Sequence, residues 1–398
     1  MISNYSITER KKTDSAEMIF WRNRIDKYHP GLINEQKYGS CLLARFYKMG
    51  NIEDLNSADT IFKKLDERFN QTEPSISLML AHISLMRHQF GQAKKYVQEA
   101  RDHDARRYPL LLAAFDVSFE RGEYDSARFF LYAIRGNKDF NYFFRLSKWQ
   151  HLNGATDSAL SSMVDASRWT GQDSFSRQVA LSNAGDLCVH MGKLREAVDF
   201  YFQSLELNPS DFHSLSGLGR IALLGDHHDF IAEKIFQFIR IRSPKPDVLL
   251  RLAELEKGRG REAAAQEYLR AFISAVNTAT YGNMYNKYLI DLYTGIFPDR
   301  EKAEMIAQHE LLNRETPQTF AWYAWTLSSN QKNTEAYEIF QKHVSGRPLE
   351  ALELYWMGNM FSNMHRSYDA LAFFQAAKQN RFDFPAYSFE DIQRKSGE

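Results

Sequence analysis

Alanine recurs along the chain at a nearly constant interval, and this recurrence constrains the fold more than any other feature. Successive members of the series are separated by 32 to 39 residues. The series is Ala58, Ala93, Ala127, Ala159, Ala197, Ala232, Ala264, Ala303, Ala336 and Ala370. A fixed period in this range predicts a chain built from stacked copies of one supersecondary unit.

Two further positions repeat with the alanine. Four residues later the chain carries Phe62, Val97, Leu131, Met163, Tyr201, Phe236, Tyr268, Ala307, Phe340 and Phe374, nearly all of them large and apolar. About twelve residues earlier a small residue is frequent: Ala81, Ser147, Gly185, Gly219, Ala253, Ala324 and Gly358. Residues four apart share one face of a helix, so the alanine and the large residue form an apolar stripe. The small residue is expected on a preceding helix, where two backbones approach closely.

Glycine and proline indicate where the helices of a unit end. Gly192 lies between the two predicted helices of its unit and can adopt the positive φ that ends a helix. Pro209, Pro244 and Pro348 follow second helices, which proline cannot continue. Each unit is therefore predicted to be an antiparallel pair of helices.

The unit resembles the tetratricopeptide repeat, whose small, alanine, aromatic and proline positions fall on Gly185, Ala197, Tyr201 and Pro209 in residues 178–211. The resemblance extends over about residues 37–382. It implies an all-α, right-handed α-solenoid of about ten such helix pairs, with capping segments at both ends. The layout is also similar to a group of bacterial proteins made almost entirely of these repeats, with no assigned activity.

Departures from the repeat suggest internal divisions. Asp291 replaces the small residue and Ala307 the aromatic one in 284–316, and the longer intervals imply extended loops at 170–176 and 277–285. We expect the following segments: 1–36, a polar stretch with a capping helix at 16–28; 37–171, repeats 1–4; 172–278, repeats 5–7; 279–382, repeats 8–10; and 383–398, a tail.

Composition excludes several classes of protein. Fifty basic and fifty acidic residues leave no net charge, which argues against binding of nucleic acid. Two cysteines, Cys41 and Cys188, cannot form a disulfide framework or a four-cysteine zinc site. No apolar run is long enough to span a membrane. A soluble protein is expected, either cytoplasmic or exported.

No constellation of residues predicts catalysis. His227 and His228 lie in a short loop without a metalloprotease motif, and no nucleophile motif or phosphate-binding glycine loop is present. We therefore predict no enzyme and no cofactor. The alternative is a metal-handling or enzymatic protein that uses the His227/His228 loop or a site between repeats.

Two groups of side chains are candidates for binding, because in tetratricopeptide arrays the first helices line a concave groove. The first group is Trp322, Trp325, Tyr355, Trp356, Asn359 and Asn363, with Trp325 and Asn359 favoured. Aromatic and amide side chains are common in peptide-binding hot spots. Alternatively, Trp322 and Trp356 pack between successive first helices. The second group is Lys148, His151, Asp186 and Arg220, which could also be a solvated helix face.

The sequence therefore predicts a non-catalytic scaffold that binds a protein or peptide on its concave face. A homodimer formed through the end repeats is a further hypothesis.

Overall fold

The computed structural model describes residues 16–25, 31–277, 279–384 and 386–397, which are helical apart from short connections. Helix α1 covers residues 16–22. The other helices are α2 (Leu32–Met49), α3 (Ile52–Arg68), α4 (Pro74–Met86), α5 (Phe90–Asp102), α6 (Arg107–Glu120), α7 (Tyr124–Ile134), α8 (Phe140–Leu152), α9 (Thr156–Arg168), α10 (Ser174–His190), α11 (Leu194–Leu207), α12 (Phe212–Leu224), α13 (Asp229–Arg242), α14 (Asp247–Gly258), α15 (Glu262–Val276), α16 (Asn286–Thr294), α17 (Arg300–Asn313), α18 (Pro317–Ser329), α19 (Asn333–Ile339), α20 (Ala351–Asn363), α21 (Ser367–Gln379) and α22 (Ala386–Lys395).

Helices α2 to α21 form ten consecutive pairs, which we number repeats 1 to 10. In every pair the two helices pack against each other. In repeat 9 the second helix continues beyond α19 as a π-helix, Phe340–Val344. The predicted all-α solenoid of about ten helix pairs is confirmed.

The first helices of the pairs lie on the inside of the curve. First helices of neighbouring repeats pack against one another, as in α4 with α6, α10 with α12, α12 with α14, and α18 with α20. Second helices pack mainly against their own partner and the next first helix. We call the side formed by the first helices the inner face.

Repeat 5 shows why the unit needs glycine, alanine and an aromatic residue at these positions. Ala197 and the ring of Tyr201 are fully buried between α10 and α11. A Cβ atom at Gly185 would lie 2.4 Å from the Tyr201 ring, and one at Gly217 in the next repeat would lie 2.5 Å from it. The ring therefore occupies space that only glycine leaves open. Gly192 adopts φ 72° in the turn between the helices, as expected.

The apolar stripe differs from the prediction in repeat 7. Ala265 and Leu269 face the core with 2% and 1% of their surface exposed, whereas Ala264 and Tyr268 are only half-buried. Because three alanines adjoin at 263–265, the spacing does not show which of them faces the core, and the predicted alanine was one residue too early. The other nine alanines are buried where they were expected.

The solenoid is wound tightly enough for one superhelical turn to contact the next. The Ser243 hydroxyl donates to the Met49 carbonyl oxygen at 3.0 Å, although 194 residues separate them. The Asn283 N–H donates to the Arg87 carbonyl at 2.9 Å. In each contact, the turn between the two helices of one repeat meets the loop that follows a later repeat. The later repeat is five positions further along the chain, so repeat 1 meets the loop after repeat 6, and repeat 2 the loop after repeat 7. We call this row of contacts the inter-turn seam.

The seam continues in repeat 3, where the Arg121 guanidinium donates to the carbonyl oxygen of Asn313 at 2.8 Å. Gly122 makes the approach feasible: a Cβ atom there would lie 2.6 Å from the Glu315 carbonyl oxygen. The predicted extended loop at 277–285 contributes to this seam, because Gly282 and Asn283 pack against repeat 2.

Additional helices contact both end repeats. Met18 of α1 packs against the apolar cluster of repeats 1 and 2, and the Arg24 carbonyl accepts a hydrogen bond from Asn34 at 3.0 Å. Residues 26–28 of the predicted capping helix lie outside the described residues. At the other end, Phe384 and Ile392 complete the cluster of repeats 8 to 10. Within the described parts of the chain, the helices lack the combination of length and hydrophobicity that crossing a bilayer requires.

Candidate functional site

The inner face carries paired charges. The Lys148 ammonium contacts the Glu120 carboxylate at 2.8 Å, and Arg145 contacts Asp116 at 2.5 Å. These pairs join the first helices of repeats 3 and 4. Although burial lowers the pKa of Lys148, the carboxylates of Glu120 and Asp116 raise it overall. Lys148, one of the predicted binding residues, is therefore a charged group of the inner face with its countercharge beside it.

A cavity of about 210 Å³ opens on the inner face where repeat 1 meets repeats 5 and 6. Its lining residues are Tyr47, Lys48, Phe175, Gln178, Val179, Ser182, Asn183, Asp186, Asn208, Asp211, Phe212, His213 and Lys245. Aromatic rings, hydrogen-bond donors and hydrogen-bond acceptors therefore line one concavity.

Asp186, a predicted site residue, organises one side of this cavity. Its Oδ1 accepts a hydrogen bond from the Tyr201 hydroxyl at 2.7 Å, and its Oδ2 lies 2.7 Å from His213 Nε2. The charge of Asp186 raises the pKa of His213 to about 9. The site therefore holds an imidazolium–carboxylate pair at neutral pH. His213 was not among the predicted binding residues, because nothing in its local sequence distinguishes it.

Two histidines and an aspartate meet where the seam passes repeats 4 and 5. The rings of His151 and His190 have centroids 4.9 Å apart, and His190 Nδ1 lies 2.6 Å from Asp383 Oδ2. This hydrogen bond raises the pKa of His190, whereas burial lowers that of His151. Neither ring nitrogen of His151 has a hydrogen-bond partner among the described residues.

Arg220 contacts the backbone of the segment that follows repeat 10. Its Nη2 donates to the carbonyl oxygens of Phe382 and Phe384, at 2.7 and 3.1 Å. Burial lowers the pKa of Arg220, and neighbouring Arg251 lowers it further. The guanidinium therefore binds main-chain carbonyl oxygens of this segment.

The predicted tryptophans divide into packing and surface positions. Trp322 and Trp356 are 4% and 1% exposed; their indoles donate to Glu353 at 2.7 Å and to Asp291 at 3.4 Å. Both pack between successive first helices, which was the alternative reading. Trp325 is half-buried and donates to the Thr294 hydroxyl at 3.0 Å.

Asp291, which replaces the small residue of the repeat, accepts the hydrogen bond of Trp356. Burial raises the pKa of its carboxyl group to about 6.

The remaining predicted residues are hydrogen-bonded within the chain. The Tyr355 hydroxyl donates to Asp391 at 2.6 Å, and the Asn359 side-chain oxygen accepts from Lys395 at 2.7 Å. Asn363 donates to the Ser328 hydroxyl at 3.2 Å. Tyr355 and Asn359 therefore contact helix α22. The sequence did not indicate that the tail would bind here.

The loop with His227 and His228 is exposed, and His227 has φ 54° in a tight turn. Among residues 16–25, 31–277, 279–384 and 386–397, no group of three or more His, Cys, Asp and Glu side chains is arranged to hold a metal ion. The metal-handling alternative gains no support from this loop.

The ten stacked helix pairs define an α-solenoid built from helical repeats. Residues 179–211, which cover most of repeat 5 and the connection after it, match the model of the tetratricopeptide repeat. Together with the ten helix pairs, this match supports a tetratricopeptide repeat protein. None of the curated proteins matches it.

Several solved structures are similar. The human IFIT1 dimer with PPP-AAAA has 13% identity and a TM-score of 0.51 over 84% of this chain and 77% of that one. At this identity the likeness shows the fold alone. PilF of Pseudomonas aeruginosa is 16% identical, with a TM-score of 0.39 over 54% of this chain and 97% of that one. A tetratricopeptide repeat protein of Parabacteroides merdae is 14% identical, with a TM-score of 0.35 over 65% of this chain and 99% of that one.

Proposed function

We propose that the protein is a non-catalytic scaffold that binds a peptide or partner protein on its inner face. The observation that supports this most strongly is the cavity beside Asp186 and His213, where aromatic and charged side chains converge. Stacked helix pairs provide a long preformed surface of this kind. The predicted residues Lys148, His151, Asp186, Arg220 and Trp325 all belong to first helices, which form this face.

The balance of charge on the inner face favours protein over nucleic acid as the partner. The human neighbour is described with PPP-AAAA, and a polyanion would require cations that are not already neutralised. Here Lys148, Arg145 and Arg251 are each paired with a carboxylate, the last with Glu254 at 2.5 Å. A peptide with polar groups of both signs suits such a surface better.

Site-specific photo-crosslinking tests the proposal. A benzoylphenylalanine at position 213, whose side chain is 58% exposed on the inner face, should crosslink to a partner in cells. The matched control is position 230 on the second helix of repeat 6, where Phe230 is 66% exposed. A partner captured from position 230 but not from 213 would refute binding at the inner face.

Two predicted residues have a separate test. Replacing Trp325 and Asn359 together with alanine should weaken recovery of the crosslinked partner while the circular dichroism stays unchanged. Unaltered recovery would remove these two residues from the site. The homodimer through the end repeats also stays a prediction, which sedimentation velocity over a range of concentrations would test.

A further inference from the structure

The segment that follows repeat 10 extends well beyond the repeat it follows. We define the C-terminal segment as residues 381–384 and 386–397. Its helix α22 packs on α21 of repeat 10 and also on α14 of repeat 7. Its first residues contact α10 of repeat 5. A helix that only covered the last repeat would need none of the contacts with repeats 5 to 7.

This segment forms the last step of the inter-turn seam in the described part of the chain. In the first steps, repeats 1, 2 and 3 contact the chain where it passes from one helix pair to the next, at the ends of repeats 6, 7 and 8. The step at repeat 5 is made by Asp383, through His190 Nδ1 at 2.6 Å. Asp383 lies between repeat 10 and the single helix α22. This step is therefore made by a segment outside the ten helix pairs.

The contacts resemble those by which a groove binds a peptide. Arg220 donates to two main-chain acceptors on either side of Asp383, the carbonyls of Phe382 and Phe384. His190 binds the carboxylate between them. The ring of Phe384 is fully buried and lies nearly perpendicular to the Tyr355 ring, at a centroid distance of 6.2 Å. The segment is thus bound through the Asp383 carboxylate, the Phe384 ring and two backbone carbonyls.

The side chains involved are the ones that the sequence pattern marks for partner binding. Arg220, Tyr355 and Asn359 were predicted at groove-facing positions, and all three contact the C-terminal segment. Lys395 also lies over the Tyr355 ring at 5.4 Å, which adds a cation–π contact. The segment therefore covers part of the surface that a partner would use.

We propose that the C-terminal segment is a ligand built into the chain, and that the partner is a peptide with the same acidic–Phe sequence, which displaces the segment. The inference rests on the proposed binding function of the inner face. A ligand attached to its own site is present at a high effective concentration, often in the millimolar range, and so lowers the apparent affinity for a free competitor. Weakening the attached segment should expose the site.

The test uses the full chain and a fluorescein-labelled peptide with the sequence of residues 379–397. Fluorescence anisotropy gives the affinity of this probe for the wild-type chain and for an Asp383→Asn/Phe384→Ala variant. We expect the variant to bind at least about tenfold more tightly, because its own segment competes less. Adding Arg220→Ala should abolish the gain, and a peptide carrying the same two substitutions should not bind.

A second variant guards against misfolding of the first. Lys395→Ala removes the contacts of α22 with Asn359 and the neighbouring rings, together with the ion pair to Asp391 within α22, and should give a smaller gain in affinity. Circular dichroism and gel filtration identify the variants that stay folded and monomeric. The proposal fails if folded variants bind the probe no better than the wild type. It also fails if binding does not depend on Arg220, or if the variants dimerise by exchanging segments.

The probe is supplied as a pure peptide, so the result does not depend on finding a cellular partner. Failure of the crosslinking experiment alone would refute the proposed function, while a gain in peptide affinity would still show that the segment covers a binding surface.

Discussion

The side-chain oxygen of Asn313 accepts a hydrogen bond from the backbone N–H of Gly91 at 3.1 Å, across 222 residues of sequence. The Asn313 amide nitrogen donates to the His88 carbonyl at 2.6 Å. One asparagine of repeat 8 thereby satisfies two backbone groups at the start of the second helix of repeat 2. This contact shows how the inter-turn seam converts a linear array into a coil with adjoining turns.

A glycine at the inter-turn seam should contribute more to stability than a glycine in a turn outside the seam. Gly122 and Gly154 occupy equivalent turns, with φ 79° and 74°, so alanine is strained at both. Only at Gly122 would the Cβ atom also meet a backbone atom, 2.6 Å away; at Gly154 it would meet nothing within 4 Å. Gly122→Ala should therefore lower the free energy of unfolding by about 1–3 kcal/mol more than Gly154→Ala. Urea denaturation measures both, and equal losses would mean that the seam is not closed in solution.

The small residue of the first helix should be required for packing of the aromatic one. Gly185→Ala places a methyl group 2.4 Å from the Tyr201 ring and should cost about 1–3 kcal/mol of unfolding free energy. Gly258→Ala is the matched control, because a Cβ atom there has no neighbour within 4 Å and alanine favours helix. The same denaturation experiment checks both. A destabilising Gly258→Ala beside a neutral Gly185→Ala would contradict the packing described for repeat 5.

Because of the Asp186–His213 pair, the free energy of unfolding should fall as the pH rises from 6.5 to about 9. The carboxylate of Asp186 raises the pKa of His213 from 6.5 to about 9, so below pH 6.5 both folded and unfolded chains are protonated and the pair stabilises fully. Between pH 6.5 and 9 the unfolded chain releases its proton first, and this stabilisation is lost. Because the side chain is 58% exposed, water screens the pair and the effect is modest.

His213→Gln should flatten the fall in the urea midpoint between pH 6 and pH 9.5. In an NMR titration, Asp186→Asn should return the pKa of His213 towards 6.5. An unchanged titration midpoint in this variant would show that Asp186 does not hold the imidazolium.

Local periodicity was enough to predict the helix pairs and most of their buried contacts. Alanine and the large residue four positions later lie on one helical stripe, so the positions of Ala197 and Tyr201 follow from spacing alone. The phase was lost only where three alanines adjoin at 263–265. Trp322 and Trp356 show the limit of such patterns, because inner-face and interhelical positions have the same periodicity.

The seam could not be predicted, because its partners lie about 190 to 220 residues apart and share no sequence pattern. Its existence depends on the small rotation between successive repeats, which accumulates over five of them. The same reason explains why His190 and Asp383 were missed. Their pairing requires the winding of the solenoid, whereas Arg220 was predicted from its position within one repeat.

Amide hydrogen exchange at Gly91 tests the coiled arrangement most directly. Gly91 lies in the first turn of α5, where a backbone N–H has no acceptor within its own helix, so its bond to Asn313 is the source of its protection. Asn313→Ala should accelerate exchange at Gly91 severalfold, whereas Asn330→Ala, which removes a contact with Arg300 and Glu304 only, should leave it unchanged. Gly91 exchange that is fast in the wild type, and unaffected by Asn313→Ala, would contradict contact between the two turns.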